Sequence, residues 1–116
     1  MTKVSFEAVF DGKRVKKDGI AYLNFKIAQL EMGKAIRVIT FLERIIRMGL
    51  AVGDQNIRVG DVTFYSLKLD RHGELTLVFE SDINSLVMGE DALRDLINKN
   101  ITVMLACKLA KVEGEG

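Results

Sequence analysis

Hydrophobic and polar positions alternate from the first residues of the chain. Over residues 3–10, Val4, Phe6, Ala8 and Phe10 fall on one side and Lys3, Ser5, Glu7 and Val9 on the other. This period of two predicts a strand with one solvated face. Asp11-Gly12 and Asp18-Gly19 predict tight turns, because glycine takes a positive φ without a Cβ clash. Residues 20–28 alternate again, with Leu23, Phe25 and Ile27 against Asn24 and Lys26. Together these segments predict an extended β-hairpin whose far end carries Lys13, Arg14, Lys16 and Lys17.

From residue 34 the period changes. At helical spacing, Ala35, Val38, Ile39, Phe41, Leu42, Ile45, Ile46, Met48 and Leu50 share an arc of about 200°. Arg37, Thr40, Glu43, Arg44 and Arg47 lie opposite. The pattern predicts an amphipathic helix ending near Gly49, although the β-branched residues within 37–40 also suit a strand. So wide an apolar face needs a sheet plus another element, or a second chain, to cover it.

Gly53-Asp54 marks a turn, after which residues 59 or 62 to 69 and 74–80 predict a hairpin joined through Asp70-Arg71-His72-Gly73. Leu75, Leu77 and Phe79 share one face of its second arm. The first arm is less regular, since Val62 and Phe64 oppose Tyr65, Leu67 and Leu69, which predicts partial cover on both faces. Residues 81–100 predict helix in two phases, with Asp82 as an N-cap, a break at Gly89 and a stripe of Ala92, Leu93, Leu96 and Ile97. Residues 101–109 are apolar at both parities, as in a central strand covered on both sides. The predicted fold class is α+β: a mainly antiparallel or mixed five-stranded sheet with two helices packed on one face, in the order β-β-α-β-β-α-β. Residues 1–111 make one domain and residues 112–116 a flexible tail.

Composition supports a packed core rather than disorder, with 48% hydrophobic residues in a chain of 116. The lone Cys107 cannot form an intrachain disulfide and reads as a small buried hydrophobe, compatible with a reducing compartment. The start of the chain shows no apolar signal region. Residues 32–50, the longest candidate span, carry Lys34, Arg37, Glu43, Arg44 and Arg47, which argues against membrane insertion. A cytoplasmic, intracellular location is therefore expected. The net charge of +1 hides an asymmetry: residues 1–58 carry +5 and residues 59–116 carry −4. That distribution permits a positive face or a head-to-tail contact with another copy.

Candidate chemistry is sparse. The only histidine, His72, sits in a polar turn without an orienting partner, and Cys107 is too far along the chain to form a zinc motif with it. Asp91 and Asp95 are interleaved with Arg94, as on an ion-laced helix surface. No phosphate loop or dinucleotide-binding glycine pattern occurs. No catalytic residue, metal or cofactor is expected, and the chain reads as a noncatalytic module.

Two functions fit. The first is protein interaction or self-assembly as a homo-oligomer, through sheet edges or a helix face bearing Val38, Phe41, Ile45 and Met48. The second is sequence-nonspecific nucleic-acid binding, with Lys13, Arg14, Lys16 and Lys17 of the hairpin and Arg37, Arg44 and Arg47 of the helix tracking phosphates. Tyr22 and Tyr65 would add base stacking if exposed.

Overall fold

A computed structural model describes residues 2–41, 44–88 and 90–107. The alternating segments become six strands: β1 (Thr2–Val15), β2 (Ile20–Ile27), β3 (Ile46–Val52), β4 (Gln55–Leu69), β5 (Leu75–Asp82) and β6 (Asn100–Cys107). They close into a barrel in the order β1-β2-β5-β4-β3-β6, every neighbouring pair antiparallel. β3, β4 and β5 follow one another as a meander, and β6 returns over a long connection to lie beside β3. That is a Greek-key path.

Because one side of each strand is apolar, closure turns all of those sides inward. Val4, Phe6 and Phe10 of β1, Leu23, Phe25 and Ile27 of β2, Leu75, Leu77 and Phe79 of β5, and Ile101, Val103 and Leu105 of β6 are buried together. Phe25 lies at the centre of an aromatic chain, with ring centroids 5.3 Å from Phe10 and 5.9 Å from Phe79. Ser81 is the one buried polar residue among those described, and its hydroxyl donates to the Asp61 carbonyl at 2.6 Å.

The α+β class and antiparallel sheet hold, with six strands in place of the expected five. The largest correction concerns residues 34–50, where a single helix was expected. Only Met32–Ala35 is α-helical (α1); a 3-10 helix follows over Ile36–Phe41, and the chain is strand again from Ile46. Three residues per 3-10 turn bring Ala35, Val38 and Phe41 onto one side, and all three are buried. Ile46, Met48 and Leu50 then continue at the strand period of two, inward from β3. Two short apolar patterns placed end to end therefore imitate one helical stripe.

Asp11-Gly12 is not a turn. β1 runs through it with a bulge between Phe10 and Gly12, where Gly12 holds φ at 121°. The chain turns later, at residues 16–19, where Gly19 has φ 83° and the Ile20 amide donates to the Asp18 carboxylate. The second predicted helix is also shorter. β5 extends to Asp82, whose carboxylate accepts the Asn84 N–H at 2.9 Å and caps a single 3-10 turn, Ile83–Ser85. α2 (Glu90–Arg94) follows, and Leu93 and Leu96 are buried. Both helices pack against β1.

The helical connections also complete the barrel's hydrogen bonding. β2 ends at Ile27, opposite Ala8, leaving the Glu7 N–H without a strand partner on that side; Glu31 Oε1 accepts it at 2.8 Å. Just before β6 begins beside β1, the Phe10 N–H donates to the Lys99 carbonyl and the Asn98 N–H to the Phe10 carbonyl. The expected tail of residues 112–116, together with Leu42, Glu43, Gly89, Lys108 and Leu109, lies outside the described residues.

Candidate nucleic-acid interface

The sequence-predicted positive residues do not form one surface. Arg14 and Lys16 lie at the β1–β2 hairpin end on its outer side, and Lys17 is exposed in the turn beyond them. The bulge at Asp11 reverses the facing of the remainder of β1, so Lys13 instead pairs with inward-facing Leu23 and lies beside Phe10, Leu93 and Arg94. The arginine row is divided among three backbone environments. Arg37 is exposed on the 3-10 helix, Arg44 is half-buried with an unpartnered Nη1, and Arg47 points outward from β3. A shared stripe required the helix that does not form.

The expected apolar contact face is divided in the same way. Val38 and Met48 are fully buried and Phe41 is 1% exposed, so all three belong to the core; Ile45 is 69% exposed. Sheet-edge assembly loses its basis as well, because the strands close on themselves.

What the fold does assemble is a groove of about 200 Å³ on the outer wall formed by β1, β2, β5 and β4. Its centre is Tyr22 on β2 and Tyr65 on β4, whose rings meet edge to face with centroids 4.8 Å apart and planes at 69°. A second bulge makes this pairing possible. Phe64 pairs with Phe79 and Ser66 with Val78, leaving Tyr65 as the extra residue between them, 52% exposed. The same bulge explains the irregular first arm of the hairpin: Phe64 and Leu67 can both turn toward the interior because the parity changes between them.

Three cations line the groove, Arg14, Lys16 and Lys68, along with Asn24 and Ser66. The Lys16 ammonium stands 5.0 Å from the Tyr22 ring centroid, a cation–π distance. Asn24 Nδ2 reaches the Gly12 carbonyl at 3.4 Å, and Val78 lies at the base of the groove. Ser66 Oγ is buried without a hydrogen-bond partner. Glu80 sits opposite Tyr22 at the groove's border, and the Thr63 hydroxyl lies 3.5 Å from its carboxylate. Sequence reasoning missed Lys68 and Asn24, which join the cations only once the register across four strands is known.

His72 is exposed at the β4–β5 turn, where its backbone N–H and that of Glu74 donate to the Asp70 carboxylate. Cys107 is fully buried at the end of β6, so the two do not form a reactive pair at a surface. Among the described residues no group of three or more potential metal-ligating side chains converges, and no helix is long and apolar enough to cross a membrane. Compared with protein-family models, curated proteins and solved structures, the chain matches none, so its function has to be argued from its own residues.

Proposed function

We propose that this domain is a noncatalytic module that binds single-stranded nucleic acid, without sequence selectivity, across the β1–β2–β5–β4 wall. The carrying observation is the half-exposed Tyr22–Tyr65 pair in a groove whose only formally charged lining residues are Arg14, Lys16 and Lys68. An aromatic face accepts any unpaired base, and cations flanking it neutralise the phosphates on either side. A duplex, with its bases already stacked, cannot use the rings in this way. Of the expected hairpin cations Arg14 and Lys16 support this reading, whereas Lys13, Lys17, Arg37, Arg44 and Arg47 have no part in it.

The test is a fluorescence-anisotropy titration with a labelled thymidine homopolymer and a duplex control. Tyr65→Ala, at an exposed bulge, is expected to weaken single-strand binding by about 1–3 kcal/mol. Three neutralised phosphates give a slope of log affinity against log salt near −2, or about −0.7 for each phosphate. Lys16→Glu combined with Lys68→Glu should remove most of that slope. Equal affinity for duplex and single strand, or binding indifferent to Tyr65, would overturn the proposal.

A further inference from the structure

On the far wall of the barrel, β1, β6, β3 and β4 enclose a groove of about 580 Å³. Its floor is apolar and contains no aromatic ring; Gly49, Met104 and Ala106 are among the residues lining it. Lys3, Arg47 and Arg58 line it, no carboxylate does, and none of the three cations forms an ion pair with another described residue. A base-stacking platform is absent here, so this surface does not repeat the tyrosine groove.

Immediately beside it is a surface of opposite character. A groove of about 280 Å³ is lined by Asp61, Glu80 and Asp82, with no cation, and includes Ile45, whose 69% exposure makes it one of the most exposed large hydrophobic residues described. The two grooves abut, since Arg47 of the first and Asp61 of the second are register partners across β3 and β4. Ile45 stands two residues before Arg47.

We infer that the occupant of both grooves is a second copy of this chain, related by a two-fold axis near Arg47 and Asp61. Adjacent patches of opposite charge supply the self-complementarity that an isologous contact requires, because the cationic groove of each copy then meets the carboxylate groove of the other. Each Ile45 is brought onto the partner's open floor beside Gly49. The cationic groove could not pair with its own image, as Lys3, Arg47 and Arg58 would face like charges. Barrel closure removes the competing route of strand addition at a free edge.

The experiment is sedimentation velocity on the full chain, free of nucleic acid by its absorbance ratio, from micromolar to millimolar concentration in low and high salt. The expected species has twice the 13.0 kDa chain mass and dissociates as salt rises. Arg47→Glu and Asp61→Arg each place like charges across both halves of the contact and weaken self-association at least about tenfold. Mixed one to one, the two variants restore a dimer, because both reciprocal contacts are again of opposite sign; circular dichroism of each variant confirms the fold. A single-chain mass at millimolar concentration in low salt overturns the inference. So does growth beyond two copies, or a mixture that stays as dissociated as its components. Nucleic-acid affinity is measured separately, so its loss would leave this result unaffected.

Discussion

Gly60 shows how strictly a single position can be constrained. It lies in β4 at φ 133°, next to the bulge between Met48 and Gly49, and a Cβ there would overlap the Ser85 carbonyl oxygen. The close approach has a purpose: Gly60 bridges to Leu86, and the Val59 carbonyl accepts the Val87 N–H, so the 83–88 connection covers β4 where β5 has diverged. Gly60→Ala combines backbone strain with a displaced connection and should cost at least about 2 kcal/mol, read as a lower urea midpoint. Gly53, whose φ is 60° with nothing near its missing Cβ, lacks the second of these costs and should lose less on the same substitution. Tyr65 illustrates the opposite freedom, for an extra residue in a bulge carries a large side chain outward without disturbing the interior.

Among the elements, the 3-10 turn Gln29–Glu31 is tied to β1 through a charged side chain. The Glu7 amide donates to the Glu31 carboxylate, and Lys34 approaches it at 3.5 Å; these partners hold its pKa below the usual glutamate value, the amide contributing most. A depressed carboxylate pKa stabilises the folded state above the unfolded-state value, and that contribution disappears as pH falls through the folded value. The Glu7 amide should accordingly lose hydrogen-exchange protection below the ordinary glutamate range, after correction for intrinsic exchange, while amides at the β2–β5 ladder keep theirs. Glu31→Gln, which retains an acceptor but not the titration, should flatten the difference. An unchanged pH profile in the variant would assign the effect to another group.

At the scale of the molecule, closure makes the strands one cooperative unit. The inward face is shared by all six strands, and Phe25 touches aromatic rings from β1 and β5 at once. Phe25→Ala should cost about 3–5 kcal/mol, the range for removing a buried aromatic ring from a tight core. With no tryptophan present, fluorescence comes from Tyr22 and Tyr65 on the outer wall, so it reports a region different from the backbone average seen by circular dichroism. The two signals should shift together in urea; separated midpoints would mean that the walls unfold independently.

The local patterns of the chain were sufficient for the strands at residues 3–10 and 20–28, the hairpin closed at Asp70 to Gly73, the Asp82 cap and most of the buried set. Each depends on alternation or on a side chain bonding its near neighbours, and both are short-range effects. Residues 34–50 and the candidate binding face were beyond that reach. Whether Ile46, Met48 and Leu50 belong to a helix or a strand is decided by β4 and by β6, the latter about fifty residues or more away, whose open backbone groups β3 satisfies. The bulges at Asp11, Val59 and Tyr65 each reverse the parity of the strand beyond them, turning Lys13 inward and Arg14 outward and bringing Tyr65 and Lys68 beside Tyr22. Hydrophobic periodicity records which side chains avoid water, whereas the register of long-range pairs determines which polar ones meet.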